Sequence, residues 1–201
     1  MAYHGYIPLV KNFIDQITHP ISLLEVGIDT GASYFSIATH LLRNKQEFVF
    51  VGVDVKIQES VKIIASNLDR TDDQKLYIVE ENSLKILPTL VEQNAKFDII
   101  LLDGDHNFYT VSNELKSISE LTYDHTLILI DDYDGRWSEQ DLWYSERDTH
   151  QNVQSSTQKV ETEKHGVKAA VDEWLSNNPE WNKYKLIPGE PVILTKQKID
   201  V

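Results

Sequence analysis

The chain has 201 residues, of which 41% are hydrophobic, and its formal net charge is −13. This length and hydrophobic content favour a single domain over 1–201 with a substantial core, and the negative charge argues against a nucleic-acid partner. The chain has no cysteine, which excludes disulfides, thiolate metal sites and cysteine nucleophiles, so carboxylates or histidines must hold any metal.

No run in the sequence approaches the roughly eighteen apolar residues of a membrane span. The first six residues lack the basic and apolar regions of a secretory signal. We therefore expect a cytoplasmic protein that does not contact a membrane.

In chain order, a helix is predicted first, at about 5–18. From residue 21 onward, short β-rich runs alternate with amphipathic segments, which is typical of a parallel sheet with helices on both faces. Strands are predicted at about 21–26, 48–54, 75–80, 97–103 and 125–131. Apolar residues at helical spacing predict helices at 33–42, 57–68, 84–93 and 109–121.

The alternation stops at Tyr133, and a polar stretch with scattered aromatic residues occupies about 134–165. Insertions of this length are usually functional lids or disordered segments, and the aromatic residues here favour a lid. They could instead pin a short helix to the core or belong to a subunit interface. A helix at 166–175 and a closing hairpin of 181–187 with 192–196 are predicted to follow.

The first strand ends in a turn that contains Glu25, Gly27, Gly31 and Ser33. Glycines let the backbone approach a ligand, and a helix N-terminus presents free N–H groups. The spacing is not Gly-x-Gly-x-x-Gly, so it gives little support to an NAD-type pyrophosphate site. Glu25 suits a cationic amino-acid ligand, and an ordinary turn between strand and helix is the alternative.

Polar residues also follow the second and third predicted strands. Asp54 ends the second strand, where its carboxylate is placed to accept hydrogen bonds from both hydroxyls of a ribose. Asn82 and Ser83 follow the third strand and could contact an adenine edge. Alternatively, either residue caps the helix that follows.

The fourth and fifth predicted strands end in the densest group of acids. The fourth runs into Asp103, Asp105 and His106, and the fifth runs into Asp131 and Asp132. In parallel sheets of this kind ligands bind outside the carboxyl ends of the strands, so we expect these side chains to form one site. As an alternative, Asp131 and Asp132 only terminate their strand.

Together these residues resemble the class I S-adenosylmethionine-dependent methyltransferases over nearly the whole chain. The resemblance implies a Rossmann-like, mostly parallel seven-stranded sheet with an antiparallel C-terminal hairpin strand and helices on both faces. It places the methionine end of the donor at the glycine turn, ribose at Asp54 and adenine near Asn82 and Ser83. The turn departs from the fuller glycine-rich form, so donor contacts are expected to shift by a residue or two.

More narrowly, the motifs at 97–106, 130–133 and 166–174 look like those of the macrocin and aminocoumarin sugar O-methyltransferases. Catechol O-methyltransferases share the same metal geometry. The resemblance implies a divalent cation, usually Mg²⁺, held by Asp103, Asp131 and Asp132, with Asp103 also at the donor site. Magnesium prefers such hard oxygen ligands, and it lowers the pKa of a bound hydroxyl.

The resemblance leaves two candidates for the catalytic base. The sugar enzymes use an acid two residues after the first metal ligand, which is Asp105 here, and catechol-type enzymes use a lysine at the position of His106. Both an aspartate beside a cation and a histidine suit proton removal from an alcohol. We favour Asp105 as the base with His106 as its partner. Alternatively, His106 only hydrogen-bonds the loop.

The sequence therefore predicts a magnesium-dependent O-methyltransferase that uses S-adenosylmethionine and acts on a hydroxyl of a sugar or natural product. Alternative hypotheses are a methyltransferase for a catechol or amine acceptor and a noncatalytic S-adenosylmethionine-binding protein. The expected partner is a small-molecule hydroxyl acceptor, and the relatives make a homodimer possible. The segment 131–133 lacks the proline pair of the amine motif of nucleic-acid methyltransferases.

Overall fold

The computed structural model describes residues 6–185 and 191–198. Within them the strands are β1 (Ile21–Val26), β2 (Phe48–Asp54), β3 (Gln74–Glu80), β4 (Phe97–Leu102), β5 (Thr122–Ile130), β6 (Asn182–Lys185) and β7 (Val192–Thr195). All belong to one sheet with the order β3-β2-β1-β4-β5-β7-β6. The first five pair in parallel, and β7 is antiparallel to both β5 and β6. The predicted fold class is confirmed, although the predicted hairpin turn lies in 186–190, outside the described residues.

The helices are α1 (Ile7–Ile14), α2 (Ala32–Arg43), α3 (Glu59–Asn67), α4 (Ser83–Glu92), α5 (Phe108–Ile118) and α6 (Gly166–Asn177). Two helix ends differ from the prediction by three residues or more. Helix α1 ends at Ile14 rather than near residue 18, and the last turn of the predicted fourth sheet helix, 119–121, is a 3₁₀ turn. No helix in the described part of the chain is long and apolar enough to cross a membrane.

Both faces of the sheet are covered, because side chains alternate between the faces of a strand and every residue of β4 is buried. One face carries Leu24 and Ile100 in a cluster with residues of α4, α5 and α6. The other carries Leu23 and Ile99 in a cluster with residues of α1, α2 and α3. The predicted helices on both faces are therefore confirmed.

The hydrogen-bond ladder continues one residue beyond three of the parallel strands. The Gly27 N–H donates to the Val53 carbonyl at 2.8 Å, and the Asp103 N–H donates to the Val26 carbonyl at 2.8 Å. The Asp131 N–H donates to the Leu102 carbonyl at 2.9 Å. These bonds place Gly27, Asp103 and Asp131 side by side at the carboxyl edge of the sheet.

The predicted insertion contains one short 3₁₀ turn, Tyr144–Glu146, and otherwise turns and irregular backbone. Hydrogen bonds join it to the residues that follow β2. Lys56 Nζ donates to the Thr149 carbonyl at 3.1 Å, and Ser155 Oγ donates to the Val55 carbonyl at 2.8 Å. The insertion therefore lies over the carboxyl edge of the sheet.

Replacing Gly27 with alanine is expected to lower the free energy of unfolding by roughly 2–4 kcal/mol. Gly27 has φ +90°, and a Cβ there would lie 2.0 Å from the carbonyl oxygen of Asp103. Urea unfolding of Gly27→Ala measures the cost. Gly104→Ala is the matched control, since its nearest contact would be a Val26 side-chain carbon at 3.2 Å. Equal losses in both variants would contradict the backbone clash.

Candidate active site

A cavity of about 700 Å³ opens at the carboxyl edge of the sheet. Its wall is formed by the ends of β1, β2 and β4, the start of α2, and part of the insertion. Six of the residues predicted from sequence line it: Gly27, Ser33, Asp54, Ser83, Asp103 and Asp105. The other six do not line it: Glu25, Gly31, Asn82, His106, Asp131 and Asp132.

Glu25 is fully buried near the end of β1 and does not line the cavity, but it is hydrogen-bonded to Ser33, which does. Ser33 Oγ donates a hydrogen bond to Glu25 Oε1, while Glu25 Oε2 has no hydrogen-bond partner among the described residues. Burial raises the pKa of Glu25 to about 8, against the opposing effect of the Ser33 hydrogen bond. A cationic group near Ser33 would favour the ionised carboxylate.

Asp54 holds the turn between β1 and α2. Its Oδ2 accepts hydrogen bonds from the backbone N–H groups of Ile28 and Asp29, both at 2.9 Å. Its Oδ1 accepts from the N–H of Lys56 at 3.0 Å. A carboxylate offers about four acceptor sites, so Asp54 retains capacity for a ligand hydroxyl while it orders the turn.

Asn82 and Ser83 both have partners within the protein. Asn82 Oδ1 accepts from the Leu84 N–H at 2.8 Å, which confirms the helix-capping alternative, and its Nδ2 donates to the Ser155 carbonyl at 2.6 Å. Ser83 Oγ donates to the buried Glu114 at 2.6 Å. The adenine contact remains a prediction, and of the two residues only Ser83 lines the cavity.

Two carboxylates and one imidazole form a compact group beside the cavity. Asp103, His106 and Asp131 each offer a ligand atom, and these atoms all lie within 4.8 Å of one another. His106 Nε2 is 3.6 Å from Asp103 Oδ1, and His106 is buried. The sequence prediction names Asp132 in place of His106.

The backbone explains the different place of Asp132. Its φ is +57°, in the left-handed region, and its Oδ2 lies 3.5 Å from His106 Nδ1. Asp132 therefore faces the second ring nitrogen of His106, and its charge also helps to raise the pKa of Asp103. Its predicted role as a metal ligand remains a prediction. The sequence pattern makes adjacent acids at a strand end look like equivalent ligands, because it does not reveal this turn.

The group of Asp103, His106 and Asp131 places two acids in a buried region, where their ionised forms are unfavourable without a nearby positive charge. Burial raises the pKa of Asp103 well above its ordinary value, and the neighbouring Asp131 charge raises it further. Burial also raises the pKa of Tyr144 to about 12, with Asp103 adding to the shift. A donor set of two carboxylates and one imidazole suits a divalent cation, which would stabilise the ionised acids.

Asp105 lies in the cavity wall between α5 and the insertion. Its Oδ2 accepts from Thr110 Oγ1 at 3.2 Å, and its Oδ1 lies 3.5 Å from the Tyr144 backbone nitrogen. Burial raises the pKa of Asp105, and the hydrogen bonds from Tyr144 and Thr110 oppose that rise. A carboxylate whose pKa is raised toward neutrality is a stronger base than an exposed aspartate.

Several residues of the wall are missed by the sequence prediction. Lys56 and Gln58 follow β2, and the insertion contributes Thr149, His150 and Thr157. In the sequence prediction the aromatic residues favour a lid, and one of them, Tyr144, lines the cavity. The polar members carry no local pattern, because their place depends on how the insertion folds back onto the ends of β2 and β3.

Comparison with known families identifies the chain. A family model described as "Methyltransferase domain" matches residues 24–133, which is more than half of the 201 residues. The chain therefore belongs to the methyltransferase domain family. No curated protein gives a significant sequence match.

Solved structures share the fold at low sequence identity. The MycE methyltransferase of mycinamycin biosynthesis, solved with Mg, SAH and mycinamycin VI, aligns with TM-score 0.60 and 12% identity over 97% of this chain and 50% of MycE. Podospora anserina PaMTH1, bound to SAH, aligns with TM-score 0.59 and 16% identity over 98% and 80%. CalS11, a TDP-rhamnose 3′-O-methyltransferase of calicheamicin biosynthesis, aligns with TM-score 0.58 and 14% identity over 95% and 76%.

The chain thus spans half the length of MycE. The family match and the shared fold confirm the predicted methyltransferase domain and its class I fold. The acceptor and the metal depend on the site itself, because a fold shared at this identity does not carry them.

Glu25→Gln is expected to weaken the pH dependence of stability between about pH 5 and pH 8. The folded protein keeps a proton on Glu25, with pKa about 8, that the unfolded chain releases near the ordinary value of 4.5. Stability is therefore greatest below pH 4.5 for this group and falls as pH rises toward 8, by up to about 1.4 kcal/mol per pH unit. Glu114, whose pKa burial raises to about 8, retains its own share in the variant.

Urea unfolding across this pH range measures the slope. The exposed Glu47→Gln removes the same carboxyl type at the surface and should leave the slope as in the wild type. A Glu25→Gln slope equal to that of the wild type would show that Glu25 is already ionised in the folded protein.

Proposed function

We propose that this chain transfers a methyl group from S-adenosylmethionine to a hydroxyl of a small molecule, a sugar or a sugar-bearing natural product, with the help of Mg²⁺. The observation that carries the proposal is that Asp103 belongs to two sites at once. Its side chain belongs to the group with His106 and Asp131, and the same residue lines the cavity at the carboxyl edge of the sheet. A metal there would lie next to a donor in the cavity.

The cavity supports the donor half of the proposal. Its volume falls within the range of small-molecule and cofactor sites, and it lies where parallel α/β sheets bind their ligands. Asp54 has acceptor capacity left for a ribose hydroxyl, and Ser33 donates a hydrogen bond from the cavity wall to Glu25. Glu25 would then become ionised when the donor's ammonium group binds near Ser33.

The acid and histidine group supports the metal half. Asp103 and Asp131 supply hard oxygen ligands, and His106 supplies a nitrogen. A bound divalent cation lowers the pKa of a coordinated hydroxyl. The MycE structure contains Mg together with SAH, and CalS11 is a 3′-O-methyltransferase of TDP-rhamnose, so these neighbours agree with the proposal.

Asp105 is the proposed base. It lines the cavity, and burial raises its pKa, which makes the ionised carboxylate a better proton acceptor than an exposed aspartate. His106, the next residue, has one ring nitrogen near Asp103 and the other near Asp132. It would hold these two carboxylates in position beside the base. The insertion would act as the lid, because its residues Tyr144 and Thr157 line the cavity and help to exclude water.

Titration of S-adenosylmethionine and then Mg²⁺ tests the two halves separately. Asp131→Ala is expected to bind the donor as the wild type does, because Asp131 does not line the cavity, and to lose Mg²⁺ affinity at least roughly tenfold. Asp134→Asn is the matched control, since this nearby acid pairs with Lys185 at 2.6 Å. Unchanged Mg²⁺ binding in Asp131→Ala would contradict the proposed metal site. Absence of donor binding to the wild type would contradict the proposed methyltransferase activity.

Asp105→Asn is expected to lower kcat by roughly 10²- to 10⁴-fold, the usual effect of losing a general base. The assay follows S-adenosylhomocysteine formation with a panel of nucleotide sugars, macrolide glycosides, catechols and amines. Donor affinity should stay within about threefold of the wild type, because the isosteric amide preserves the shape of the wall. Turnover only with amines or catechols would show that the acceptor is not a sugar. Donor binding without turnover on the whole panel would favour the noncatalytic alternative.

A further inference from the structure

A second group of metal-ligating side chains lies at the opposite end of the sheet. His19 precedes β1, Asp98 lies near the start of β4 and His125 lies in β5. Their ligand atoms are all within 4.8 Å of one another. The side chains of His19 and His125 are 50% and 36% exposed, whereas that of Asp98 is 1% exposed. The group is therefore open to solvent above a buried carboxylate.

Asp98 is held in one orientation from below. Its Oδ2 accepts hydrogen bonds from both the N–H and the hydroxyl of Ser22, each at 2.7 Å. Its Oδ1 faces the histidines, 2.6 Å from His125 Nε2 and 3.6 Å from His19 Nε2. A carboxylate with one oxygen bound by the protein and the other directed at imidazoles is the arrangement found around metal ligands.

The histidines are oriented as well. His19 Nδ1 is 2.9 Å from the Pro20 carbonyl, which can only accept, so Nδ1 carries the proton. In the neutral ring this leaves a lone pair on Nε2, the atom that faces Asp98. The ring of His125 stacks on Tyr123 at 5.1 Å with an interplanar angle of 6°. Metal-ligating histidines commonly donate their other nitrogen to a backbone carbonyl in the way that His19 does.

We propose that His19 Nε2, Asp98 Oδ1 and His125 Nε2 bind one zinc ion, with water at the fourth position. Two imidazoles and one carboxylate match the ligands that Zn²⁺ takes and Mg²⁺ does not prefer. Tetrahedral donors lie roughly 3.3 Å apart at ordinary zinc bond lengths, so the 3.6 Å pair already fits. The 2.6 Å pair must open by several tenths of an ångström, with the His125 proton on Nδ1 instead of Nε2.

This site would tie three separate chain segments together without touching the methyl-transfer chemistry. Asp98 and Asp103 stand five residues apart along β4, which is roughly 17 Å at the rise of a strand. Zinc at Asp98 would join β4 to β5 and to the segment before β1. The expected role is therefore to stabilise the fold, and the proposal is independent of the proposed function.

The test uses tag-free full-length protein that carries Asp131→Ala, so that zinc cannot bind strongly at the other group. Calorimetric titration of ZnCl₂ is expected to show one site in this background. His19→Gln together with His125→Gln should remove it, and each single change should weaken it at least roughly tenfold. His40→Gln is the matched control, because His40 Nε2 also lies 2.7 Å from a carboxylate, that of Asp15, without a second histidine among the described residues.

A saturating zinc concentration, about a hundred times the Kd, is expected to raise the melting temperature by roughly 5–10 °C, and the double histidine variant should not respond. Cobalt binding should give a visible tetrahedral spectrum that zinc abolishes. Zinc bound equally by the double variant, or no zinc bound by the parent, would overturn the proposal and leave His19, Asp98 and His125 as a hydrogen-bonded network. Both histidines are partly exposed, so circular dichroism should show a folded double variant.

Discussion

The ends of β1 and β4 approach each other so closely that position 27 has no room for a side chain. The Asp103 N–H bonds to the Val26 carbonyl at 2.8 Å, and the Asp103 carbonyl lies where a Cβ on Gly27 would be. This contact sets the register of the carboxyl edge. Asp103 can border the cavity and group with Asp131 because the strand ends meet there without intervening side chains.

The same closeness concentrates acids in a buried region, and electrostatics then constrains what the edge can do. Burial raises the pKa of Glu25, of Asp103 and of Asp105, so each of these side chains is less easily ionised than in water. Such an arrangement is costly unless cations arrive. A positively charged methyl donor and a divalent metal would each supply positive charge, at two neighbouring points. Both would stabilise the ionised form of the buried acids.

The strands and the residues at their ends could be predicted because both follow from local patterns: apolar runs of strand length, then a polar residue. Contacts set by long-range folding could not. Asn82 caps α4 and holds Ser155, Asp132 turns toward His106, and the wall contributed by the insertion has no periodic signal. Nor does any spacing rule bring His19, Asp98 and His125 together, since three separate segments supply them.

The two groups at the ends of β4 differ in ligand chemistry, and this difference decides which metal each would retain. Asp103, His106 and Asp131 offer more oxygen than nitrogen, whereas His19, Asp98 and His125 offer more nitrogen than oxygen. Zinc binds most nitrogen and oxygen sites more tightly than hard cations do, so affinity alone would fill both groups with zinc. At the oxygen-rich group, abundant Mg²⁺ and the oxygen of the proposed acceptor would favour magnesium instead, because together they would complete the oxygen shell that magnesium prefers. No such ligand would favour magnesium at the nitrogen-rich group, so under the two proposals one chain would bind Mg²⁺ for catalysis and Zn²⁺ for stability.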